Sequence, residues 1–140
     1  MQRDKLMRLQ NLFERLRRHF EKKELCWTAY YLHHSYCCFE SVVEEILRRR
    51  GKIRDLMEEG SRQYHKRLLD RFFMEHMRGE IYEPIRNTIG EWRRFRHRFR
   101  SLWHGELKWE ELERLAEAIV HSCETISGML YSFVEGGYGE

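Results

Sequence analysis

The residues with the clearest chemical potential stand together in one segment, EWRRFRHRFRSLWHG, residues 91–105. At about 100° of rotation per helical residue, Arg93, His97, Arg100 and His104 fall within an arc of about 60°. On the same helix Ile85, Ile89, Trp92, Phe99 and Trp103 form an apolar stripe about 80° wide, and Arg96 lands inside it. An arginine there must be paired, snorkel to water or lie at an interface, because an unpaired buried charge costs several kcal/mol. Guanidinium groups on neighbouring turns also repel one another unless an anion or partner carboxylates offset them. Cleavage of an RNA phosphodiester without a metal needs a base for the 2′-hydroxyl, cationic donors for the phosphorane and an acid for the leaving oxygen. Histidine titrates in the useful range, and arginine offers a fork of donors matched to phosphate oxygens. A cleft between two copies of such a helix would supply base and acid together. The plainer reading of the same residues is an Arg-rich solvated face with scattered histidines.

Other chemistries have weaker footing. Only three aspartates occur (Asp4, Asp55, Asp70), and no HExxH or carboxylate–His pair stands out, so neither a metal nor a cofactor is expected. There is no Gly-rich phosphate loop and no GxSxG elbow. His33 and His34 point about 100° apart and chelate one ion poorly, so they read as core or interface residues. His65, near the start of the third helical segment, reads as a packing residue. Cys26, Cys37, Cys38 and Cys123 show no CxxC or finger spacing, and the adjacent pair is badly placed to bridge. All four are expected to be reduced and packed in an intracellular core.

The elements that must carry these residues are helices. The 140-residue chain is 41% hydrophobic and 14% aromatic, too rich in core-formers for disorder despite 35% charged residues. Nine Gly and a single Pro argue against turn-dense β architectures. A net charge of +3, from 26 Lys+Arg against 23 Asp+Glu, is too mild for a bulk polyelectrolyte binder, so any nucleic-acid contact must come from local clustering. Leu6, Leu9, Phe13, Leu16 and Phe20 predict a first amphipathic helix. A second runs from near Trp27 to Arg50 and ends at Gly51; its apolar residues cover more than one face, so it is central. A third is expected from Ser61, as N-cap, through Leu68, Leu69, Phe72 and Phe73 to Gly79, after which Pro84 punctuates a connection. A fourth occupies about Ile85 to His104, and a fifth runs from Trp109 to Phe133. The expected organisation is one all-α domain over 1–135 with a fraying tail, GGYGE, at 136–140. The N-terminus has no apolar leader and no apolar run approaches 18 residues, so a cytoplasmic protein with no membrane partner is expected.

The segment RRFRHRFRSLWHGELKWEELERLAEAI resembles the signature helix of HepT-like domains in the HEPN superfamily. That helix carries an Arg, a polar residue, three variable positions, a His, one more residue and a Tyr. AYYLHHSYCCFESVVEEIL is similar to the family's helix with an aromatic-rich start and a following Glu-Ile turn. SRQYHKRLLDRF is similar to its Trp-His-x-x-Leu-Leu segment, with Tyr64 in the aromatic place and His65 in the histidine place. Together these cover roughly residues 27–120. The resemblance implies a HEPN-like antiparallel bundle of four or five helices, a homodimer whose Arg/His motifs meet in a cleft, and metal-independent endoribonuclease toxin activity. It also implies a nucleotidyltransferase antitoxin that adds AMP to the motif tyrosine. Arg96 would be the motif arginine and His97 the adjacent polar residue.

Two positions depart from that pattern. Ser101 stands where the motif has histidine, and Trp103 where it has tyrosine. Serine cannot shuttle the proton, and tryptophan has no hydroxyl to modify, so AMP addition at the usual place is excluded. Either His97 or His104 replaces the lost imidazole, or catalysis is gone and a basic cleft remains. (Arg98 followed by His104 also meets a looser spacing, on another face.) The leading expectation assigns Arg96 to the phosphate, His97 and His104 to proton transfer, and Arg93, Arg100 and Ser101 to RNA binding. The competing one is a non-catalytic subunit that binds a nucleotidyltransferase or its nucleotide or RNA substrate. A third is a helical interaction module with no nucleic-acid role.

Overall fold

Leu6, Leu9, Phe13 and Leu16 return every three or four residues, and all four are buried on one side of α1 (Gln2–Glu21). The computed structural model describes residues 2–59, 63–101 and 107–136, with residues 2, 59, 100, 101 and 136 described by their backbone alone. A short turn then folds the chain back into α2 (Leu25–Arg49). Tyr31, Leu32, Tyr36, Phe39, Val42, Val43, Ile46 and Leu47 of α2 are all buried, and they cover too wide an arc for one partner. The helix accordingly packs against α1 and three later helices. It stops where Gly51 takes φ +68°, with Gly51 N–H donating to Arg48 O at 3.0 Å and Lys52 N–H to Leu47 O at 2.9 Å. A left-handed residue at that place favours glycine and closes the orphan carbonyls.

The next stretch differs from the expectation. A short helix, α3 (Arg54–Glu59), precedes the third expected segment, with Ile53 and Leu56 buried against the core. Six residues are too few for an apolar period to register in sequence. Arg71 clasps α3 with a fork onto Asp55 (2.8 and 3.1 Å) and a bond to Lys52 O at 2.8 Å. The following helix, α4, spans Tyr64–His76, shorter at both ends than expected, and Ser61 lies outside the described residues. Pro84 also falls differently: α5 (Glu83–Ser101) begins at Glu83 after a 3-10 turn at Glu80–Tyr82, so the proline sits in a first helical turn. No partner is lost there, because the first helical N–H groups lack intrahelical acceptors. Last comes α6 (Trp109–Gly136); residues 137–140 of the expected tail lie outside the described residues.

Among the described residues there are six α-helices and no strand, the all-α bundle that was expected. No helix among them is long and apolar enough to cross a membrane. The cysteines are all free, but Cys26 is exposed rather than packed; only Cys123 is fully buried. Trp92 of α5 marks the centre of the bundle. It is fully buried, its Nε1 donates to Leu32 O at 2.9 Å, and its ring meets Phe13 (5.8 Å), Tyr36 (5.3 Å) and Phe39 (5.3 Å). Phe39 in turn meets Phe72 of α4 at 6.4 Å. One aromatic cluster therefore ties α1, α2, α4 and α5 together and sets the height of α5 against α2.

His76, at the end of α4, lies between Phe72 (5.2 Å) and Phe133 of α6 (4.7 Å), with Nε2 buried and without a hydrogen-bond partner. Burial, and then the nearby Arg50 guanidinium, hold its pKa below the ordinary histidine value, while Glu75 pulls the other way. The unfolded chain therefore takes up the proton more readily than the folded one. This contribution to stability is whole above about pH 6.5 and is lost as the pH falls toward the depressed folded value. His76→Phe is expected to remove that part of the acid-side decline, read as urea midpoints at about pH 5 and pH 7.

Candidate functional site

The helix that carries the arginines is buried along a line that avoids them. Ile89, Trp92 and Phe95 of α5 are buried, whereas Ile85 and Phe99 are half-buried. Phe95 lies about 40° beyond Phe99, on the side away from Arg96. The apolar stripe is thus displaced from the one periodicity suggests, and Arg96 occupies its edge. Its side chain is half-buried, and its Nε is cut off from solvent without a hydrogen-bond partner among the described residues.

Arg93 and Arg96 both approach Tyr36 of α2. Burial, then the Glu40 carboxylate, drive the Tyr36 phenol far above the ordinary tyrosine range, and the two guanidinium groups pull it back. The Tyr36 hydroxyl is near enough to Glu40 to feel its charge but has no well-formed hydrogen bond. Glu40, only 7% exposed, accepts a hydrogen bond on Oε1 from His65 Nδ1 at 2.7 Å; its Oε2 is buried without a partner. Beside them the Tyr64 hydroxyl, buried and next to Glu44, is pushed up to about 12. A buried carboxylate with one free oxygen, facing a buried phenol and two arginines, is an incompletely satisfied polar cluster. Clusters of that kind are costly and concentrate at functional sites.

His65, expected to pack, meets the Tyr64 ring at 5.5 Å and is also held by Glu40 in the tautomer with hydrogen on Nδ1, which leaves the Nε2 lone pair available when the ring is neutral. One signal pointed to it: among Lys, Arg, Asp and Glu, Glu40 is the only such residue between Leu25 and Val43. A lone charge in an apolar helix needs a partner, just as Arg96 does.

Next to this cluster, α4 and α5 enclose a groove of about 260 Å³ lined by Lys66, Arg86, Arg93 and Arg94, with Asp70 as its one acid. Arg86 is committed to Met77 O and Gly79 O, both at 2.7 Å. Lys66, Arg93 and Arg94 have no carboxylate partner among the described residues. Gly90 adds no side chain to the floor. A larger cleft of about 580 Å³ opens between α5 and α6, but Glu91, Glu110 and Glu111 balance Arg94, Arg98 and Arg114 there. Carboxylates repel an anion, so of these two the smaller groove has the more cationic lining.

The structure thus brings Arg93 and Arg96 together at Tyr36. His97, one turn beyond Arg93 on the same helix, is exposed and makes no hydrogen bond or ring contact among the described residues. Arg100 and Ser101 are described by their helical backbone only, and His104 and Trp103 lie outside the described residues. No group of three or more His, Cys, Asp or Glu stands together as a metal-ligand set among the described residues.

No curated protein and no solved structure matches the chain. A family model described as HepT-like protein matches residues 27–136, from the aromatic start of α2 through all of α6, and leaves only α1 and the tail outside. With the all-α bundle, that match over most of the chain establishes its kinship: it belongs to the HepT-like family of the HEPN superfamily.

Proposed function

We propose that this protein is the toxin component of a toxin–antitoxin pair, a metal-independent endoribonuclease working at an Arg/His cleft between two copies, with a nucleotidyltransferase-type antitoxin. The observation that carries the reading is Arg96, whose Nε is held out of water without a hydrogen-bond partner among the described residues and whose charge reaches the buried Tyr36 phenol. A half-buried guanidinium with an unpartnered Nε is poorly placed for stability and well placed for a phosphate. In this reading Arg96 binds the scissile phosphate, and Arg93 and Arg100, with Ser101, hold the RNA backbone. An imidazole removes the 2′-hydroxyl proton, O2′ attacks phosphorus, and the 5′-oxygen leaves with a proton from a second imidazole. The products are a 2′,3′-cyclic phosphate and a free 5′-hydroxyl. His97 and His104 are candidates for these transfers, and Glu40-bound His65 joins them on geometric grounds.

Purified protein incubated with RNA in EDTA is expected to yield fragments ending in 2′,3′-cyclic phosphate. Intact RNA, or cleavage undiminished in an Arg96→Ala/His65→Ala/His97→Ala/His104→Ala variant, would overturn the reading. Ser101 and Trp103 in place of the motif histidine and tyrosine favour a second reading: a degenerate subunit that docks a nucleotidyltransferase or its substrate. Its mark would be co-purification with a nucleotidyltransferase encoded beside it, together with no turnover of RNA.

A further inference from the structure

Trp27, Tyr30 and His34 stand at i, i+3 and i+7 on α2, within an arc of about 60°. Their rings touch in series, Trp27 to Tyr30 at 5.7 Å and Tyr30 to His34 at 4.1 Å. The series continues through His33 at 5.4 Å to Phe99 of α5 at 4.8 Å. Phe99 is less than one helical turn beyond Arg96. A continuous row of rings therefore runs from the surface to the arginine helix.

Trp27 is 50% exposed and Tyr30 39%. Neither hangs loose. His19 of α1 stacks on both Trp27 (5.5 Å, 22°) and Tyr31 (5.3 Å, 8°), and its Nδ1 donates to Glu24 Oε1 at 2.6 Å. Tyr30 packs edge-on against Trp27 and Tyr31. Rings already held in place lose little freedom when a flat partner lies on them.

We propose that Trp27, Tyr30 and His34 form a stacking platform for unpaired RNA bases, which makes single-stranded RNA the substrate class of this site. The proposal rests on the ribonuclease reading for the identity of the polymer. Arg98 pairs with Glu111 at 3.5 Å, but Arg93, Arg94 and Arg96 have no carboxylate partner among the described residues, so a phosphate backbone is drawn along this stretch of α5. Bases of a strand lying there can turn toward α2, where the rings offer them π faces. A duplex hides those faces in its own stack, whereas a single strand exposes them.

The test uses the full-length protein and a short labelled oligoribonucleotide, 2′-O-methylated throughout so that it cannot be cleaved. Trp27→Ala/Tyr30→Ala is expected to weaken binding roughly five- to a hundredfold, the range of lost base stacking. Helical content and sedimentation should stay unchanged, and Trp27→Phe/Tyr30→Phe should keep most of the affinity. The wild type should hold an abasic oligomer of equal length about as poorly as the alanine variant holds the intact one. If the double alanine variant does not fold, Tyr30→Ala alone carries the comparison. Absence of binding by the wild type, equal affinity for abasic and intact oligomers, or an unaffected alanine variant would each overturn the platform. So would a changed oligomeric state in the variant, which would assign the rings to a seam between protein copies. Ring-dependent binding of the methylated strand, with unmodified RNA left intact in EDTA, would sink the ribonuclease reading and leave the platform standing.

Discussion

Trp92→Ala is expected to lower the unfolding free energy by about 3–5 kcal/mol, the usual range for truncating a buried aromatic ring. That is a large share of the roughly 5–15 kcal/mol by which small domains are stable. The size follows from position: the indole meets Phe13, Tyr36 and Phe39 from two other helices, and Phe39 hands the contact on to Phe72. The vacated space cannot collapse without moving α1, α2 and α5 together. Trp92→Phe separates two causes. It keeps a ring but loses the Nε1 bond to Leu32 O, and is expected to cost about 1–2 kcal/mol. Urea denaturation of the three proteins measures both, and a phenylalanine variant as damaged as the alanine one would assign the effect to the hydrogen bond.

Arg96→Met is expected to move activity and stability in opposite directions. Methionine fills similar space at the edge of the apolar stripe and removes a buried Nε that has no hydrogen-bond partner. Unfolding free energy should therefore hold steady or rise by about 1–3 kcal/mol. Cleavage of RNA in EDTA should fall about 10²–10³-fold, the usual loss when one donor to a developing anion is removed. Arg96→Lys should recover little of it, since a lysine has no planar fork for two phosphate oxygens. A methionine variant that unfolds easily, or that cleaves as well as the wild type, would make Arg96 a structural residue.

Much of the frame was legible before any coordinates. The stripe of Leu6 to Leu16, the multi-sided apolar content of α2 and the stop at Gly51 all follow from local periodicity and backbone sterics, which act over a few residues. What escaped was short or depended on context. α3 has too few residues to show a period, and Pro84 reads as a break unless the helix start at Glu83, one residue before it, is known. The burial of Phe95 likewise depends on which side of α5 meets α2 and α6.

The residues themselves determined that this chain is an all-α bundle, that α5 is cationic and that Arg96 departs from its own apolar pattern. Tertiary packing decided what each imidazole meets. His97, the neighbour of Arg96 in the chain, is exposed, whereas His65 comes from another helix to hydrogen-bond Glu40 beside Tyr36 and the two guanidinium groups. The physical reason is range. Helical periodicity is set by contacts three or four residues apart, but the field at a buried charge is set by groups that only long-range packing brings within a few ångströms.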